Sequence, residues 1–204
     1  MPVPAGGSLV ADPDRLASVD DLRLMPGVPG PDELSDASAG LLLEVATAVV
    51  QAAAGGQRIL EVVDDEVTLY GGYASFLRLP QQPVTAVTSV TLDGTLLAAE
   101  SWRRRPEGIW RQCGWVTSSQ CEVEVGVVYT HGYPEGDQRL QLGRGAVLSL
   151  VKGVAANPTG ATRLAIDDYQ EAYDRMSSVL EASPYLAAAL RRQYGRRAGT
   201  VRIV

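Results

Sequence analysis

Residues 77–94 read Leu-Arg-Leu-Pro-Gln-Gln-Pro-Val-Thr-Ala-Val-Thr-Ser-Val-Thr-Leu-Asp-Gly, and no other stretch constrains the fold as tightly. Pro80 and Pro83 fix their own φ and cannot donate to a ladder, so the chain enters extended. Val84, Ala86 and Thr88 then alternate with Thr85, Val87 and Ser89, the period of two expected of a half-buried strand. Asp93-Gly94 closes the run with a hairpin-turn signal, because glycine accepts the positive φ that a tight turn demands.

The β pattern extends on both sides of this run. Strands are predicted at 59–63, 66–70, 75–79 and 84–92, with Asp64-Asp65, Gly71-Gly72 and Asp93-Gly94 as turns between them. Weaker candidates lie at 103–105, 109–111 and 114–116, and 121–130 alternates as a long strand. Trp102, Trp110 and Trp115 all fall here and are expected to pack a small antiparallel sheet. Helical patterns flank the region. Ser18 and Asp21 form a capping-box pattern that opens a short helix to Met25, and the Pro/Gly run 26–31 breaks it. A longer helix is predicted over 33–54, capped by Asp32 or Ser35. Its apolar stripe is Leu34, Leu41, Val45, Ala48, Val49 and Ala52, and Gly55-Gly56 ends it. After the turn at 132–136, a helix over 137–156 turns Leu140, Val147, Leu148, Val151, Val154 and Ala155 inward. Asn157-Pro158-Thr159-Gly160 stops it. Residues 162–173 read as a strand or hairpin, and Ser183-Pro184 opens a last helix to Tyr194. The sum is α+β: terminal helices forming a small bundle around a β-rich antiparallel insert. The boundaries are a flexible arm at 1–15, one domain at 16–194 (helical 16–56 and 137–194, β lobe 57–131) and a tail at 195–204.

At 204 residues the chain suits one domain, or one domain with a small lobe, and 46% hydrophobic residues suffice for a core. The formal net charge of −6 disfavours general nucleic-acid binding. It leaves open a channel wall past which DNA slides without sticking. The N-terminus lacks the charged and apolar regions of a signal peptide, and no apolar run approaches the ~20 residues that span a bilayer. The chain is therefore expected to be soluble and cytoplasmic when made. Cys113 and Cys121 flank a turn, which allows a cross-strand pair or two reduced thiols. With one histidine and no further cysteine, a structural zinc site is not expected.

No constellation for catalysis emerges. His131 is the only histidine; beside a turn, it reads as a loop residue before it reads as a base. There is no Gly-x-Ser-x-Gly elbow, Walker-type loop or Gly-x-Gly-x-x-Gly, and Gly143-Arg144-Gly145 is too short to cradle phosphate. Asp64-Asp65-Glu66 and Asp167-Asp168 are paired acids, suited to metal binding or acid–base work. In turn-like or alternating segments such neighbours point to opposite faces, which favours solvated acids. The basic clusters are Arg103–Arg105 and the tail set Arg191, Arg192, Arg196, Arg197 and Arg202. They suit phosphate contact, an acidic protein partner, or simply a solvated surface. The first sixty residues hold eight acids against three arginines, and the last fourteen hold five arginines and no acid. That asymmetry is suited to head-to-tail contact between identical subunits, which closes rings.

Along the chain stand, in order, Leu16-Ala17-Ser18-Val19-Asp20-Asp21-Leu22, the capped helix at 33–54, Gln57-Arg58-Ile59, residues 77–94, Val127-Val128-Tyr129-Thr130-His131-Gly132-Tyr133, and Ala156-Asn157-Pro158-Thr159-Gly160. Each alone marks strands and turns in many folds. As an ordered set spanning most of 16–194, they resemble the head-to-tail adaptor (head–tail connector) proteins of tailed bacteriophages. The proline-rich start and the arginine tail depart from that pattern. The resemblance implies a non-enzymatic virion protein at the head–tail neck, present in host cytoplasm during assembly. It implies a ring, usually of twelve copies, beneath the portal protein. Such a ring presents a platform to stopper or tail proteins and touches passing DNA only transiently. It implies no cofactor, metal or membrane. The terminal segment would contact the portal, making Arg191, Arg192, Arg196, Arg197 and Arg202 the interface candidates. Alternatives are another neck protein (stopper or tail-completion), a metal-dependent small enzyme using the paired acids, or a DNA-binding accessory using the arginine tail. Lys152 as the only lysine and Phe76 as the only phenylalanine match a high-GC genome, and hence a high-GC host such as an actinobacterium.

Overall fold

The computed structural model describes residues 15–117, 122–155 and 168–196. The fold is α+β, with two hydrophobic cores, one among helices and one between sheets.

Helix α1 (Val19–Arg23) starts at Ser18, whose hydroxyl accepts from the Asp21 amide while the Asp21 carboxylate accepts from the Ser18 amide. This reciprocal bonding satisfies two otherwise orphaned donors. Helix α2 (Asp36–Ala53) is capped by Ser35, not Asp32. It lies at the centre of the bundle and packs on α1, α3 (Gln141–Ala155), α4 (Asp168–Glu181) and α5 (Pro184–Tyr194). The expected stripe is therefore corrected. Leu42, Leu43, Ala46, Thr47 and Val50 are buried alongside Val45 and Val49, whereas Ala52 is exposed. A helix surrounded on most sides has no single apolar stripe. By length and composition alone α2 is apolar enough to cross a bilayer, but half of that window is buried within the bundle.

The β lobe comprises two sheets. In the first the order is β1 (Val62–Gly71), β7 (Val123–His131), β3 (Val84–Leu92) and β4 (Thr95–Leu96). In the second it is β2 (Phe76–Arg78), β6 (Gly108–Trp110) and β5 (Arg103–Arg105). Every pairing between strands is antiparallel. The run at 84–92 forms β3 as predicted. Asp93 and Gly94 both take positive φ (51° and 74°), which joins β3 to β4 in a tight hairpin.

Four sequence expectations are corrected. In place of strands at 59–63 and 66–70 there is one strand, β1, that starts at Val62, and Asp64 lies in a bulge between Val62 and Asp65, not in a turn. Residues 114–116 form no strand, although Trp115 is fully buried in the sheet core. Of 162–173, residues 168–173 belong to helix α4; 162–167 lie outside the described residues, as do the predicted stop at 157–160 and positions 1–14 of the arm. Arg15, assigned to the arm, pairs with Glu44 at 3.3 Å, and Leu16 is buried.

Amide side chains join the lobe to the bundle. The Gln57 side chain donates to the Pro80 carbonyl (3.1 Å) and accepts from the Gln82 amide (2.9 Å). Gln81 accepts from the Arg58 amide (2.8 Å) and donates to the Gly56 carbonyl (3.3 Å). Buried Gln82 donates to the Leu79 and Glu107 carbonyls. The two glutamines between Pro80 and Pro83 thus satisfy backbone groups of both halves. Past the end of β7, Gly132 sits at φ +87°, where an added Cβ would meet the Leu60 carbonyl at 2.3 Å.

Candidate functional site

Helix α5 places the arginines. Pro184 occupies its first turn, although the Ser183 side chain makes no capping bond. Leu190 and Tyr194 turn into the bundle. The Tyr194 hydroxyl accepts from the Gly143 amide (3.1 Å) and donates to the Arg139 carbonyl, which also accepts from Gln193 (2.7 Å). Tyr194 meets Tyr133 edge-on at 6.0 Å, and the Arg139 guanidinium lies 4.4 Å over the Tyr133 ring. Arg139 also forks onto the Asp137 carboxylate, whose pKa these hydrogen bonds pull down to about 2. Burial raises the Tyr194 hydroxyl above its ordinary range.

This clip fixes where the chain leaves the bundle. Beside it runs a groove of about 170 Å³ between bundle and β lobe, lined by Gln82, Glu107, Tyr133, Arg139, Gln193 and Tyr194 among others. Of the five candidate arginines, Arg191, Arg192 and Arg196 are exposed at this end of the molecule. The Arg191 Nε donates to the Ala53 carbonyl (3.3 Å) and so caps the C-terminus of α2. Arg197 and Arg202 lie outside the described residues.

The second basic cluster, on β5, sits elsewhere. Arg103 pairs with Trp110 and Arg105 with Gly108 across β6. Arg104 alone reaches back, its Nη1 donating to the Val84 carbonyl at 2.7 Å. The two arginine sets thus sit on different halves of the fold, one on the bundle helix α5 and its end, the other on β5 of the lobe.

At the β1 bulge the neighbouring acids diverge. Asp64 accepts from the Thr88 hydroxyl at 2.5 Å, while Asp65 lies 3.0 Å from the His131 Nε2. Among the described residues, no three His, Cys, Asp or Glu side chains gather to hold a metal. Asp168 opens α4 and Asp167 lies outside the described residues. Cys113 is exposed and free, and Cys121 is outside the described residues.

His131 is a correction of a different kind. It is the last residue of β7 and fully buried, not a loop residue. Burial depresses its pKa, and the Asp65 hydrogen bond only partly offsets this. Its ring lies 5.2 Å from that of Tyr129, whose phenol burial pushes up to about 12. Tyr129 and His131 thus form a buried polar pair at the end of β7.

No protein-family model matches the chain, and no curated protein matches it. Among solved structures it is similar to a chain from the virion of a native gene transfer agent (GTA) particle. The two are 19% identical, the match covers 91% of this chain and 92% of that one, and the TM-score is 0.46.

Proposed function

We propose that this chain is a structural virion protein without catalytic activity, a head-to-tail adaptor. It forms a ring, of twelve copies, under the portal, links the capsid to stopper or tail proteins, and continues the DNA channel. The observation that carries this reading is the exposed arginine end of α5. There Arg192, on the last turn clamped by Tyr194, and Arg196, just past the helix, are exposed. A rigid helix end bearing outward guanidinium groups is suited to forked pairing with carboxylates of a partner. The ordered motifs within the described residues fit the same reading, because they hold the fold together. The capping box opens α1, the Gln81-Gln82 pair fastens lobe to bundle, and the 127–133 run carries β7 into the junction.

The test is to mix purified protein with its portal and image the product by electron microscopy. The wild type is expected to form a ring on the portal, and R192E/R196E/R197E to form none while melting like the wild type. A wild type that leaves the portal bare overturns the reading.

A further inference from the structure

The β lobe separates charge between its two sheets. Strands β1, β3, β4 and β7 contain no lysine or arginine, whereas β2, β5 and β6 contain four arginines and no acid. The register sorts each sheet into faces. In the four-stranded sheet, Val67, Val127 and Val90 form one row, and Leu69, Val125 and Leu92 the next, all turned to the shared core. The intervening rows, Glu66–Val128–Ser89 and Tyr70–Glu124, face away, and Glu66, Tyr70 and Glu124 are exposed. In the three-stranded sheet, Leu77 and Ile109 turn to the core, while the Phe76–Trp110–Arg103 row faces away. Arg103 and Arg105 are exposed, and neither makes an ion pair among the described residues.

We infer that these two outward faces are the mating surfaces between successive copies of this chain: the acidic face of one β lobe receives the aromatic–arginine face of the next. The occupant is argued from complementarity. One chain carries a sheet face bearing Glu66 and Glu124 and another sheet face bearing Arg103 and Arg105, across one core. Such an arrangement favours a head-to-tail contact that propagates and closes. Arg103 and Arg105 are the residue type that forks onto carboxylates and stacks on aromatic rings. Tyr70, 70% exposed beside Glu124, offers such a ring, and Phe76, 37% exposed, is an apolar anchor on the opposing face. A nucleic acid fits less well, because the same lobe presents the carboxylate face and the whole chain carries −6. The inference deepens the ring reading above and rests on it for closure.

Sedimentation velocity over a range of protein concentrations, without any portal, tests the contact. The wild type is expected to self-associate at low ionic strength and to dissociate at 1 M salt, where screening acts within about 3 Å. R103E/R105E and E66R/E124R are each expected to weaken association by about tenfold or more, since like charges then face each other. An equimolar mixture of the two variants restores it, because each reversed face finds its complement. A wild type that stays monomeric at every concentration overturns the inference. So do reversals without effect, or variants that melt like the wild type yet fail to restore association when mixed. Short duplex DNA bound by a monomeric wild type and released by R103E/R105E also overturns it. None of these outcomes bears on whether a ring forms on the portal, so the two readings fail separately.

Discussion

His131 shows what one position contributes. Residues 123, 125, 127 and 129 turn into the lobe core, and 131 has the same parity. The alternation that predicted β7 therefore already implied an inward histidine; the neighbouring turn masked it. Its buried imidazole holds a proton less readily than the ordinary value of about 6.5. Below that value the unfolded chain takes up the proton while the folded chain still resists it, so stability falls as pH falls. Thermal melts from pH 7 to pH 5 are expected to show a declining Tm in the wild type. H131Q, which carries no titrating ring, flattens that decline. Asp137 titrates near 2, so its contribution is lost only in stronger acid and leaves this window clear.

At the scale of elements, the Tyr194 clip decides how the last helix is held. Y194F keeps the ring against Tyr133 but removes the hydroxyl that Gly143 donates to, which leaves a buried amide unpaired. The expected cost is about 1–3 kcal/mol in urea unfolding, with faster amide exchange at the end of α5 than in α2. The helices were legible where capping and spacing agreed, as at Ser18, Ser35 and Pro184. Helix α4 was not. The buried Ala172, Met176 and Leu180 recur every four residues, but the alternating stretch before Asp168 outweighed that spacing. Asp64-Asp65 was misread because a bulge and a turn share the same residue preferences. Only pairing with β7 tells them apart.

For the whole molecule, the glutamine clasp predicts that lobe and bundle unfold together. All three tryptophans lie in the β lobe and the long helices lie outside it. Tryptophan emission therefore reports the lobe, while circular dichroism at 222 nm reports the bundle. The two urea curves are expected to coincide in the wild type. Q57A/Q82A removes the side-chain amides that donate to the Pro80, Leu79 and Glu107 carbonyls, and it takes the Gln57 acceptor away from the Gln82 backbone N–H. Each unpaired buried group costs about 1–3 kcal/mol, and the two curves should separate, with the lobe melting first. The candidate arginines were legible as a cluster in sequence, but which of them point outward was not, because Arg191 spends a donor on the α2 C-terminus.

Periodicity, proline placement and capping residues determined the α+β class, the exact extent of β3 and most helix starts, because these depend on contacts a few residues apart. Tertiary structure alone decided that Gln81 and Gln82 fasten two cores, that Asp65 meets His131, and that Glu66 and Glu124 lie on one sheet of the lobe and Arg103 and Arg105 on the other. Those outcomes depend on strand order and register between segments dozens of residues apart, which local pattern cannot encode.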